Sequence, residues 1–130
     1  MTRGLRNNNP GNIRHSPTKW QGEIEGRDKS FKSFSSIEWG YRAMFKILRT
    51  YKAKHKKNTL REMISRWAPS CENDTEAYIK TVSNRAKVFI DIELDTYNRS
   101  QMCRIVEAMS YVENGMSGVM SEIEKGWELI

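Results

Sequence analysis

Long apolar runs are missing from this chain of 130 residues. No stretch approaches the ~18 apolar residues of a membrane-spanning helix, and no apolar segment of the signal-peptide kind follows the basic N-terminus. No membrane insertion is therefore expected, and the protein is expected to be made in the cytoplasm without a signal peptide, so that any action outside uses another export route. Cysteine is scarce: Cys71 and Cys103 are the only two, at no metal-ligand spacing. Two thiols do not make a disulfide framework in a domain of this size, so both are expected reduced and partly buried. Histidine is equally scarce, with His15 in a polar stretch and His55 in a lysine run. Neither has a Ser or Cys nucleophile or a metal-ligand partner at recognisable spacing, which argues against hydrolytic triads and metal sites. No Gly-rich phosphate loop is present, and no cofactor is expected. Among side chains suited to chemistry, carboxylates remain.

What is present is enough for one core. With 38% hydrophobic residues the length supports a single domain over residues 1–130 and is too short for two. A net charge of +6 favours an acidic partner, whether nucleic acid, a membrane surface or an anionic wall polymer. The chain opens on Arg6-Asn7-Asn8-Asn9-Pro10-Gly11-Asn12-Ile13-Arg14. Asparagine competes with the backbone for hydrogen bonds and Pro-Gly enforces a turn, so this segment is a loop. Its carboxamides, each a donor and an acceptor on one planar group, suit it to gripping a sugar or a phosphate. The alternative is a terminal cap made of turn-formers.

Further on, Trp20 to Phe34 reads as a small irregular hairpin with turn points at Gly22 and Gly26. Ser35-Ser36-Ile37-Glu38 has the capping-box pattern, and Ile37, Tyr41, Met44, Phe45, Leu48 and Tyr51 follow at helical spacing into a basic end at Lys52 to Lys57. Thr59-Leu60-Arg61-Glu62 repeats the box before a short stripe that ends at Trp67 and Pro69. Asn73 to Glu76 opens a third helix with Tyr78, Ile79, Val82 and Ala86 inward, Asn98 to Gln101 a fourth, and Ser121 a last short one over Glu122 to Leu129. The expected fold is mainly α, with one small β-hairpin near the N-terminus.

The fourth helix carries an anomaly. Its apolar face at Met102, Ile105, Val106 and Met109 continues, four residues on, to Glu113, where a core residue was due. Asn114-Gly115 then ends the helix. Partial burial and the negative end of the helix dipole would both favour the protonated form of such a carboxyl, which is how a general acid is made. The alternative is a helix that rotates or ends early, with Glu113 in water. Of four tryptophans, Trp39 suits the core, whereas Trp67, just before Ala68-Pro69 and a polar segment, could wall a groove and stack on a sugar ring.

These residues carry a resemblance. Arg3-Gly4-Leu5-Arg6 through Arg14, Trp20-Gln21-Gly22, Phe31 to Phe34, Gly40 to Ala43, Trp67-Ala68-Pro69, Glu72 to Thr75, Tyr78-Ile79 and Glu113-Asn114-Gly115 resemble the small phage and prophage virion-associated proteins that begin with Asn-Asn-Pro-Gly-Asn-Ile-Arg. More distantly, the chain is similar to lysozyme-like cell-wall glucosaminidases and lytic transglycosylases. In those enzymes a helix ending in a catalytic Glu precedes an Asn-Pro-Phe-Gly-Ile loop, a Phe-rich strand and a Tyr-containing segment. Here the corresponding helix, ending at Glu113, comes last. The resemblance implies either a circularly permuted lysozyme-like domain, which neighbouring termini permit, or a wall-binding or structural protein without the catalytic helix. Pro10-Gly11-Asn12 departs from the enzymes' Pro-Phe-Gly.

On the first alternative the protein cleaves the glycan strand of peptidoglycan, with Glu113 as the acid that protonates the leaving oxygen. Asn7, Asn8, Asn9 and Asn12 would line the saccharide groove, Trp67 and Tyr78 would form a wall, and Arg14 would meet acidic groups. Glu23, Glu25, Glu72 and Asp74 are the candidates for a second carboxylate, and a lytic transglycosylase needs none. The rivals are a non-enzymatic virion or wall-binding protein, with other virion proteins as partners, and a nucleic-acid-binding module, which lacks any recognisable recognition helix. The expected place of action is the virion or the bacterial cell wall.

Overall fold

The computed structural model describes residues 1–130. The order of elements is α1 (Arg3–Arg6), β1 (Glu23–Ile24), β2 (Ser33–Phe34), α2 (Ile37–His55), α3 (Leu60–Trp67), α4 (Thr75–Ala86), α5 (Arg99–Asn114) and α6 (Met120–Glu128). The fold is mainly helical with one small antiparallel hairpin, as the sequence pattern predicts. Apolar side chains at helical spacing on α2, α3, α4 and α5 meet in one core, where Met44, Leu48, Leu60, Ile64, Ile79, Val82, Met102, Val106 and Met109 are shut away from solvent. Each such side chain contributes roughly 1.5–3 kcal/mol by leaving water. α4 packs along α5, and α6 closes over α2.

In the hairpin Glu23 stands opposite Phe34 and Ile24 opposite Ser33. The N-terminal arm extends it through a bridge between Arg14 and Phe31, with the Lys32 amide donating to the Ile13 carbonyl at 2.9 Å. The arm starts with α1, which the sequence reading did not anticipate. Four residues are too few to show a period, but the Thr2 hydroxyl caps the turn by accepting from the Leu5 amide. The Asn-rich loop then lies on α2 at Gly40, where any side chain would run into the Asn8 carbonyl and the Pro10 ring.

Two helix starts differ from the sequence reading. The box at Thr59 forms in both directions, Thr59 accepting from the Glu62 amide and Glu62 accepting from the Thr59 amide. The box at Ser35 and Glu38 does not: Ser36 is the cap residue and makes no side-chain bond to the helix. The last helix starts at Met120 behind Val119 instead of at Glu122 behind Ser121, because burying Ile123 sets its phase more strongly than a serine cap does. Cys103 is buried in the core face of α5, and burial pushes its thiol up to about 11. Cys71 is exposed, contrary to the expectation that both thiols are partly buried.

Candidate functional site

Glu113 occupies the last turn of α5, one residue before the end of the helix, and Gly115 turns the chain away in the left-handed conformation. It is half-buried, and three donors converge on it from three other parts of the chain. The Asn12 carboxamide of the N-terminal loop donates Nδ2 to Oε1 at 3.0 Å. Trp67, at the end of α3, donates Nε1 to Oε2 at 3.3 Å, and the Tyr78 hydroxyl of α4 donates to the same oxygen at 2.9 Å. Tyr78 has its proton held well above the usual phenol range, first by burial and then by the Glu113 charge and hydrogen bond. It therefore stays a donor at any physiological pH.

The carboxyl lies on the floor of a cavity of about 450 Å³. Phe31, Tyr51 and Trp67 supply aromatic walls, Gly11 to Arg14 one lip, and Pro69, Glu72 and Asn73 the other. Arg14 is exposed and lies over the Phe31 ring at 5.2 Å, which leaves a positive charge at the rim. The loop and Glu113, a hundred residues apart in sequence, are thus brought together. A volume of this size, with aromatic side chains set among the polar groups of Asn12, Arg14, Glu72, Asn73 and Glu113, is ordinary for a site that takes a small polar ring or part of a polymer.

Of the residues singled out from sequence, Asn12, Arg14, Trp67 and Glu113 line this cavity. The other asparagines do not, because the fold itself uses their carboxamides. Asn7 donates to Asp28, and Asn8 donates to the Phe34 carbonyl. Asn9 is fully buried, donating to the Ile13 and Lys32 carbonyls and accepting from the Ile13 amide. Asn9 is thereby shut away from any ligand, contrary to expectation, and Asn7 and Asn8, half-buried, lie outside this cavity. Tyr78 is buried behind Glu113 and acts on the site through its hydroxyl, so it is not an exposed wall.

Among the four candidate second carboxylates only Glu72 reaches the rim. Glu23 is tied to the buried Lys32 ammonium at 3.0 Å. Burial works to raise its pKa, but hydrogen bonds from the Trp20 amide and Lys32 hold it below the usual range. Asp74 caps α4 by accepting from the Ala77 amide, and Glu25 is exposed away from the cavity.

Three contributors escaped the sequence reading. Phe31 and Tyr51 were placed in a hairpin and on a helix face with no sign of which side they would wall. Asn114 is buried and fastens the loop to α5, donating to the Pro10 carbonyl at 2.8 Å and accepting from the Thr2 hydroxyl at 2.9 Å. Its only sequence signal is its place beside Gly115, which reads as ordinary helix-end chemistry.

Fold and site together define a small, mainly helical protein whose N-terminal loop closes over a carboxylate at a helix end. No protein-family model matches the chain. It is similar to Protein P5 of Pseudoalteromonas phage PM2, at 40% identity over 131 residues, covering 97% of this chain and 80% of that protein. The chain belongs to the family of that phage protein.

Proposed function

We propose that this phage-family protein cleaves the glycan strand of peptidoglycan, with Glu113 as its general acid, from the virion or at the bacterial wall. The reading rests above all on the carboxyl of Glu113 standing on the floor of an aromatic-walled cavity beside Asn12. A glycosidic oxygen leaves poorly as an alkoxide, so a carboxylic acid that gives it a proton removes most of the difficulty. Phe31 and Trp67 offer apolar surfaces to the faces of sugar rings, and Arg14 suits the acidic groups of a wall polymer. The donors on Glu113 stabilise the carboxylate left after protonation, which then takes up a proton for the next cycle.

Glu113 carries the hydrogen-bonding partners, Glu72 is the one other carboxylate lining the cavity, and the lytic transglycosylase route, which needs a single carboxyl, is the one favoured here. There Glu113 gives its proton to the leaving oxygen, then accepts one from the sugar's own 6-hydroxyl as that oxygen closes on the anomeric carbon. The lysozyme-like ancestry suggested by the motifs, in circularly permuted order, belongs to this reading. The net charge of +6 would hold the protein on an anionic wall.

Digestion of purified peptidoglycan by the wild type and by Glu113→Gln, with mass spectrometry of the products, tests it. Anhydromuropeptides from the wild type and none from the variant are expected. Products with reducing ends would move the reaction to the hydrolytic class. Equal activity in the variant would remove Glu113 from its role, and no activity on several wall types would leave a non-enzymatic virion or wall-binding protein.

A further inference from the structure

The one buried side-chain polar atom without a hydrogen-bond partner in the molecule is Asn12 Oδ1, on the same carboxamide whose Nδ2 donates to Glu113. Its surroundings are of the wrong sign for an oxygen. A Cβ placed on Gly4 would lie 2.6 Å from Asn12 Oδ1, 2.7 Å from the Asn9 carbonyl oxygen and 2.8 Å from Asn114 Oδ1. Three acceptors therefore crowd one glycine. Neither neighbour can serve Asn12, since the Asn9 carbonyl accepts from the Asn12 amide and Asn114 Oδ1 accepts from Thr2. A buried acceptor left in this state is costly and calls for a compensating reason.

A half-turn of the planar carboxamide exchanges its donor and acceptor ends. The NH2 would then face the Asn9 and Asn114 oxygens, and the carbonyl would face Glu113 Oε1. That orientation is repulsive toward a carboxylate and attractive toward a carboxylic acid. The proton also has a preferred seat. Oε2 already takes hydrogen bonds from Trp67 and Tyr78, whereas Oε1 has Asn12 alone.

We propose that the Asn12 carboxamide is a rotor that turns over when Glu113 Oε1 takes a proton, matching each protonation state of Glu113 with one orientation of the amide. In one state NH2 serves the carboxylate and the carbonyl is unpartnered. In the other the carbonyl accepts from the acid while NH2 turns toward the acceptor oxygens beside Gly4. Asn12 is a positioning residue in this account: it holds the proton ready on Glu113 until a saccharide oxygen competes for it. That catalytic meaning rests on the proposed glycan cleavage; the rotor itself operates without substrate. The groups facing Glu113 are Trp67 from α3, Tyr78 from α4 and Asn12 from the loop, and the other charged or titratable groups around the cavity are Arg14, Tyr51 and Glu72.

The test is the nuclear Overhauser effect between the Asn12 side-chain NH2 and the Gly4 α-protons in the full chain. The cross-peak should be weak in wild type with ionised Glu113, where the Asn12 NH2 lies on the far end of the carboxamide from Gly4, and should strengthen as the Glu113 carboxyl carbon shifts to its protonated position. Glu113→Gln should show it at every pH, because its carbonyl must take the oxygen position served by Trp67 and Tyr78, turning its own NH2 toward Asn12. Glu72→Gln should leave the wild-type response in place. A wild-type cross-peak pattern that stays unchanged while the Glu113 carboxyl carbon passes from its ionised to its protonated shift would overturn the rotor. So would the same Asn12 orientation in Glu113→Gln and in wild type with ionised Glu113. No readout involves substrate, so a failure of glycan cleavage and a failure of the rotor are separately visible.

Discussion

Asn9 occupies a position that tolerates no other chemistry. Its carboxamide is buried and gives two hydrogen bonds to carbonyls while taking one from an amide, so a single side chain stitches the loop to the strand at Lys32. Asn9→Ala would leave the Ile13 amide and two carbonyls without these bonds, with an expected loss of about 3 kcal/mol, measured by chemical denaturation. Asp28 does similar work near the surface. It accepts from Arg3, from Asn7 and from the Ser30 and Phe31 amides. The Arg3 hydrogen bond, foremost among these causes, holds its carboxyl far below the usual range. A depressed folded value means that the stabilisation is complete above the unfolded carboxyl pKa of about 3.9 and drains away as the pH falls below it. Stability measured across the acid range should therefore fall less steeply in Asp28→Asn than in wild type. Which asparagine does which task was not legible in sequence, because neighbouring carboxamides are chemically identical and only their directions differ.

The two capping-box patterns are nearly interchangeable as sequence and unlike as structure. Around Thr59 both reciprocal bonds form; at Ser36 no side-chain cap bond is made. Thr59→Ala is expected to lower stability by about 1 kcal/mol and Ser36→Ala by less than about 0.5 kcal/mol, read as shifts in the denaturation midpoint. Helix interiors, in contrast, were legible throughout. The apolar stripes of α2, α3, α4 and α5 name the core correctly, since a 3.6-residue period has one way to hide its apolar face. Helix starts were less legible, and α6 begins where Ile123 needs it to rather than where serine invites it. The hairpin was visible as a region, but its strands are two residues each and owe their position to the arm that pairs beside them.

At the scale of the whole molecule, the N-terminal arm is fastened across the end of the last core helix, and the cavity exists because of that fastening. Thr2 and Pro10 both bond to Asn114, and Asn12 bonds to Glu113, across more than a hundred residues of chain. Asn114→Ala should release the arm at a cost on the order of 2 kcal/mol. The expected signature is faster proteolysis within the first dozen residues and loss of any glycan cleavage, with the helical circular dichroism signal retained. The sequence by itself determined the five longer helices and their apolar faces, the loop character of Asn7 to Asn12 and the odd carboxylate at Glu113, because these follow from local conformational preference and periodicity. Only the tertiary structure decided that Asn12 meets Glu113 while Asn7 bonds to Asp28, Asn8 to the Phe34 carbonyl and Asn9 turns into the interior, that Tyr78 lies behind the acid, and that Glu72 alone of four carboxylates reaches the rim. Those choices depend on where a side chain points relative to distant backbone, and a buried donor or acceptor takes whichever partner the packed chain brings within 3 Å.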